Sequence, residues 1–329
     1  MTITERYVAD GDDWVNPAGV RVPRGINVPR LIIDTDFATD CDDVGGIAVA
    51  HALADLGECE LLAMGVSATC NFSTSALGSL NTWHGRPDIP VGQFKGSAET
   101  VNVSNCGAYV EGMHNNGDWP SSVGLGTTVD DVVDVYRQSL HDAPDGSVTL
   151  VTIGFLTGVS ALLDSAGDSI DSRSGADLVA AKVKRTYVMG ANPGGGAEFN
   201  MAGAPAAASN VAANWPGEIV WNPFEVGNAV FTGKWGVQPA DHIVRFAYQQ
   251  FGVNQNNGRQ SWDLVTVLQA VRGNEDRFSV ERGDMFLDGS TGQDTWTPDV
   301  NGRDLLTSLD TSASNLETEI EPLMWSPQV

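Results

Sequence analysis

Positive charge is scarce in this sequence, with 18 lysines and arginines against 42 aspartates and glutamates and a formal net charge of -24. A surface of that sign repels phosphate backbones and anionic headgroups, so neither a nucleic acid nor a membrane surface is an expected partner. Cysteine is scarce too. Cys41, Cys59, Cys70 and Cys106 show neither the C-x-x-C pairing of a zinc site nor the density of a disulfide scaffold, and they read as reduced thiols. No stretch approaches the roughly twenty apolar residues of a membrane span, and residues 1–27 hold no apolar run of the signal-peptide kind, so a cytoplasmic protein is expected. The Walker lysine loop, H-E-x-x-H and G-x-S-x-G are all missing, which leaves nucleoside-triphosphate, zinc-protease and serine-hydrolase chemistry without support. No frame supplies the ligand spacing of an EF-hand, and no repeat of fixed period is present.

Apolar residues are not lacking. A chain of 329 residues with 42% hydrophobic content can bury a large core. Leu31-Ile32-Ile33 reads as a strand, an acidic loop runs to Asp43, and Ile47, Val49, Ala50, Leu53 and Leu56 follow at helical spacing before a second apolar run at 61–66. That is one βαβ unit, and parallel strands are expected. Further helices are predicted around 73–83, 129–140, after Thr157, 202–213, 242–251 and 262–271, with strands at 148–153, 186–189 and 218–221. The alternation predicts an α/β fold with an open, mainly parallel central sheet covered by helices on both faces, its site at the carboxyl ends of the strands. Residues 1–29 read as an N-terminal extension, 30–306 as a single domain and 307–329 as a loosely docked acidic tail.

The loop after Ile33 carries Asp34, Asp36, Asp40, Asp42 and Asp43 where a ligand site is expected. Clustered carboxylates raise one another's pKa unless a cation sits among them, and all-oxygen ligation by several carboxylates favours calcium over magnesium. Two other readings stand beside this one. The loop can be an exposed acidic cap on a helix. Alternatively, Asp34-Thr35-Asp36 can be the D-x-D of a magnesium-dependent phosphohydrolase, although Ala38 stands where that motif wants Thr.

Four segments in order carry a family resemblance: Ile33-Asp34-Thr35-Asp36 with Asp42-Asp43, then 151–157, then Ala197-Glu198-Phe199-Asn200, and finally Ser261-Trp262-Asp263. Together they resemble the inosine-uridine-preferring nucleoside hydrolases over about residues 30–271. The resemblance implies a calcium-dependent enzyme that hydrolyses the N-glycosidic bond of a small-molecule ribonucleoside to free base and ribose. It implies calcium ligation by Asp36, Asp43 and Asp263 through carboxylates and by Ile153 through its carbonyl. Asp36 would be the general base on a calcium-bound water, Asp42 would take a ribose hydroxyl, and Asn71, Asn192, Glu198 and Asn200 would complete the sugar cradle. His114 lies where the family has a loop histidine that reaches the base. A homodimer or homotetramer is implied as well.

The chain departs from the family pattern in three places, one of them Ala204-Pro205 where the family has Asp-Pro after Asn200. The span between Asp36 and Asp42 is two residues longer than the family's, which leaves Asp40 either as a supporting partner or as an exposed carboxylate. Trp262 stands where a family histidine protonates the leaving base, and it reads either as a stacking platform for the base or as core. Phe199 and Trp119 are candidate pocket walls. Hydrolysis of another N-riboside, or calcium and sugar binding without turnover, remain alternatives on the same residues.

Overall fold

The computed structural model describes residues 28–97, 107 and 109–326, together with the backbone of 8–10, 13–15, 21–23 and 108. Three short strands, β1 (Val8–Asp10), β2 (Asp13–Val15) and β3 (Arg21–Pro23), pair antiparallel. The main body begins with β4 (Arg30–Thr35), α1 (Asp42–Asp55), β5 (Glu60–Val66), α2 (Ser73–Trp83), β6 (Val91–Gln93), α3 (Ala108–Asn115) and α4 (Val132–Asp142). It continues through β7 (Val148–Ile153), α5 (Thr157–Asp164), α6 (Gly175–Lys182), β8 (Val183–Met189), α7 (Phe199–Gly203), α8 (Pro205–Asn214), β9 (Ile219–Asn222) and α9 (Phe224–Asn228). The last part comprises β10 (Phe231–Thr232), α10 (Ile243–Phe251), β11 (Arg259–Gln260), α11 (Trp262–Arg272), β12 (Phe278–Leu287), β13 (Asp294–Pro298), β14 (Asp304–Leu309) and α12 (Ala313–Met324).

The central sheet has nine strands in the order β13-β12-β14-β9-β8-β7-β4-β5-β6. From β14 to β6 every neighbouring pair is parallel, and only β12 and β13 add an antiparallel edge. Successive residues of β4 point to opposite faces, so Leu31 and Ile33 enter one core while Ile32 enters the other. The first core is closed by α1, α2, α3, α10, α11 and α12, and the second by α4, α5, α6 and α8. This is the expected mainly parallel sheet with helices on both faces. α1 is buried from Asp42 to Leu53 and apolar all round, as a helix enclosed by neighbours must be.

Several local expectations are corrected. The helix predicted over 202–213 is two helices, because Pro205 cannot continue α7 and instead opens α8 after the extended residue Ala204. The chain from 307 is no loose tail, since Thr307 lies within β14 and Leu316, Ile320 and Met324 of α12 are fully buried against α1. Cys41 and Cys59 are free and buried as expected, but Cys70 is disulfide-bonded; Cys106 lies outside the described residues.

Away from the acidic loop, the core encloses the titratable ring of His51. Nε2 of His51 in α1 lies 2.9 Å from Asn81 Oδ1, and the ring stacks on His84 with centroids 4.5 Å apart. Burial, with the Arg86 charge adding to it, lowers the His51 pKa from 6.5 to about 3. The folded protein therefore refuses a proton that the unfolded chain accepts below pH 6.5, and stability is lost as pH falls from 6.5 toward 3. Urea unfolding at pH 7 and pH 5 should show roughly 2 kcal/mol more loss in the wild type than in His51→Gln. Equal losses would show that this ring does not set the acid limit.

Candidate active site

The chain leaves β4 at Thr35, and Asp36 is the first residue beyond the carboxyl end of that strand. Asp42 and Asp43 form the first turn of α1, and Asp263 lies in the first turn of α11, so two helix amino termini bring their partial positive charge to one place. Gly46 makes this approach possible: a Cβ there would stand 3.1 Å from Asp263 Cβ, tighter than most real contacts. The backbone N–H of Asp263 donates to Asp42 Oδ2 at 3.3 Å, and ligand oxygens of Asp42, Asp43 and Asp263 all lie within 4.8 Å of one another. Thr35 Oγ1 donates to Asp43, and Thr39 Oγ1 donates to Asp36 Oδ2 at 2.7 Å.

All four carboxylates are buried. Burial lifts the Asp36 pKa from 3.8 to about 7, and burial reinforced by neighbouring carboxylates pushes Asp42, Asp43 and Asp263 well above their ordinary range. Like charges at this spacing cannot all ionise unaided. A hard divalent cation fits the donor set, because every side-chain group offered is a carboxylate oxygen and the three closest are already gathered. Ile153 ends β7 in register with Thr35 and closes the same wall.

These residues floor a cavity of about 470 Å³, within the usual range for a small-molecule site. One wall follows β8: Met189, Asn192, Ala197, Glu198 and Asn200. Glu198 caps α7, its Oε2 accepting from the N–H groups of Asn200 at 2.9 Å and Met201 at 3.2 Å, and burial raises its pKa to about 8. Asn200 Nδ2 donates to the Met189 carbonyl at 3.3 Å, and the Asn192 N–H donates to Asp294 Oδ2 at 2.6 Å, so β13 steadies this wall from outside. The opposite wall is aromatic. Trp262, Phe224 and Phe251 line it, and Phe199 stands half exposed at the rim. Trp262 Nε1 donates to the Phe224 carbonyl at 2.9 Å, which fixes the indole, and the Phe224 ring packs on it with centroids 5.5 Å apart. Arg259 also lines the cavity, bonded to Asp40 and lying over the rings of Trp262 and Phe251 at 5.1 and 5.5 Å.

A profile of the inosine-uridine preferring nucleoside hydrolases matches residues 31–306. The chain belongs to that family. Its fold agrees with solved nucleoside hydrolases. A plant nucleoside hydrolase superposes with a TM-score of 0.68 at 19% identity, covering 91% of this chain and 99% of that one. An inosine-guanosine nucleoside hydrolase gives 0.69 at 19% identity, covering 92% and 100%. The inosine-uridine preferring nucleoside hydrolase from Bacillus anthracis gives 0.69 at 16%, covering 90% and 99%. No curated protein sequence matches the chain.

This nucleoside hydrolase gathers Asp36, Asp42, Asp43, Ile153, Asn192, Glu198, Asn200, Trp262 and Asp263 around one cavity. It does not bring in Asn71 or His114. Asn71 Oδ1 instead accepts the Thr127 N–H at 2.9 Å and pins the loop after Ser121, while His114 Nδ1 lies 2.8 Å from Ser75 Oγ with its ring against Phe72. Trp119 is core, edge-on to Phe246. Asp34 points to the opposite face of the sheet, where Tyr136 donates to its Oδ2 at 2.6 Å; a D-x-D nucleophile cannot work from there, so the phosphohydrolase reading loses its reacting group. Sequence reasoning missed Arg259, Phe224, Phe251 and Met189. Arg259 had a weak signal in standing three residues before Trp262, whereas the apolar ones look like core.

Gly154, just after β7, lets Asp36 sit where it does, since a Cβ there would meet the Asp36 nitrogen at 2.2 Å. Gly154→Ala is expected to cost about 1–3 kcal/mol in urea melts. A misplacement of about 1 Å at Asp36 would also lower kcat for nucleoside hydrolysis roughly 100-fold. A variant matching the wild type in both would show that this contact does not place Asp36.

Proposed function

We propose that the protein hydrolyses the N-glycosidic bond of ribonucleosides to free base and ribose, using calcium held by Asp36, Asp43, Asp263 and the Ile153 carbonyl. The observation that carries this reading is one cavity with buried carboxylates on its floor, amide and carboxylate groups on one wall and aromatic faces on the other. Calcium, when bound, supplies acidification of a coordinated water and a second attachment for sugar hydroxyls. Asp36, oriented by Thr39, accepts the proton from the attacking water at its carboxylate. Asp42 takes a ribose hydroxyl. A carboxylate has about four acceptor sites, so Glu198 keeps capacity for another hydroxyl beside its two backbone bonds. Asn192 and Asn200 complete the cradle. As the C–N bond lengthens, the sugar gains oxocarbenium character, and the surrounding carboxylates stabilise that charge. The base lies against Trp262, whose N–H is already engaged, so the ring offers contact area and reads no hydrogen bonds.

The family resemblance further points to a homodimer or homotetramer. No helix among the described residues is long and apolar enough to cross a membrane, and the disulfide at Cys70 favours an oxidising compartment over the cytoplasm.

Ribose release from a panel of purine and pyrimidine ribonucleosides should depend on calcium and stop on chelation. Asp36→Ala should lower kcat by at least about 100-fold, the lower end for loss of a general base, while far-UV circular dichroism is unchanged. A calcium-loaded protein that releases ribose from no nucleoside would defeat the proposal.

A further inference from the structure

Among the described residues, Arg259 is the one cation lining a cavity that six carboxylates also line: Asp36, Asp40, Asp42, Asp43, Glu198 and Asp263. A guanidinium beside a metal-binding cluster is a ready competitor for the metal. Three of its five N–H donors are engaged away from the cluster. Nε donates to Asp40 Oδ1 at 3.1 Å, Nη2 donates to Asp40 Oδ2, and Nη1 donates to Gln260 Oε1 at 3.1 Å. Asp40 is itself fixed, because its Oδ1 accepts the Cys41 N–H at 2.6 Å and its carbonyl accepts the Tyr109 hydroxyl at 2.5 Å.

We propose that Asp40 is a positioning residue that holds Arg259 away from Asp42, Asp43 and Asp263 and so keeps the ligands Asp43 and Asp263 free for a divalent cation. This rests on the reading of the floor as a cation site. The competing pairing is close at hand, because Arg259 lines the same cavity as Asp42, Asp43 and Asp263. Without Asp40, the half-buried guanidinium keeps its charge and lacks its fork-to-fork partner, Gln260 satisfies only one of its N–H groups, and the carboxylates of the cavity are the charged acceptors left to it. An internal ion pair there must be broken before a metal can bind. The wild-type pair is neutral in sum, and so is the double variant Asp40→Asn/Arg259→Ala, which makes the pair testable without a net charge change.

Calorimetric titration with calcium alone, on protein shown folded by circular dichroism, separates the possibilities. Asp40→Asn should weaken calcium binding about tenfold or more, while Arg259→Ala and the double variant stay within about threefold of the wild type. The loss should persist in ~0.5 M potassium chloride, where long-range charge effects are screened. Should Asp40→Asn fail to fold, Asp40→Ser is titrated in its place. Unchanged binding by the Asp40 variant would overturn the proposal, as would a double variant no better than it, or Arg259→Ala as weak as Asp40→Asn, which marks a structural clasp. A wild-type protein that binds no calcium would remove the cation site itself and this inference with it.

Discussion

Four aspartate carboxylates lie buried around one point, and their mutual repulsion is the constraint that the rest of the structure serves. Each would be stable in water, and together in a low-dielectric floor they resist ionising. The fold answers with fixed dipoles: the amino termini of α1 and α11 point at the cluster, and the Thr35 and Thr39 hydroxyls donate into it. The approach of the two helices depends on Gly46, and the approach of β7 to Asp36 depends on Gly154. These devices reduce the repulsion without cancelling it. A divalent cation is the remaining term, and a nucleoside hydrolase has a use for one.

The parallel sheet explains why such a site can exist here at all. β4, β7 and β8 end side by side, so Asp36, Ile153 and Met189 arrive at one rim although over a hundred residues separate the first from the second. The wall after β8 is steadied by Asp294 of the antiparallel edge, which gives β12 and β13 a role beyond extending the sheet. The aromatic wall comes from the opposite direction, from α9, α10 and α11, and meets the wall after β8 across the carboxylate floor. One end of the cavity is thus polar and charged, the other apolar and flat, matching the two halves of a nucleoside.

Much of this was legible in the sequence because local patterns carry it. Leu31-Ile32-Ile33 and its acidic loop mark a strand end, and the four ordered motifs fall on the floor of the cavity and on the wall after β8. What escaped depended on distant partners. Asp40 and Arg259 lie 219 positions apart, and nothing in either segment shows that they meet. Asn71 and His114 looked available until Thr127 and Ser75 were seen to hold them. The strands β12 and β14 went unread although Asp288-Gly289 and Asn301-Gly302 are turn signals beside them, because β12 mixes charged and apolar residues without a clean alternation, and the acidic composition after residue 307 masked the buried Leu316, Ile320 and Met324 of α12.

The central claim is that the carboxylate floor is completed by a cation, and thermal unfolding against calcium concentration tests it most directly. A ligand that binds only the folded state stabilises it by about 2.7 kcal/mol at one hundred times its Kd. The account predicts that Tm is lowest in chelator and climbs steadily with calcium, and that Asp263→Asn flattens the climb. A Tm that is the same in chelator and in millimolar calcium would contradict it.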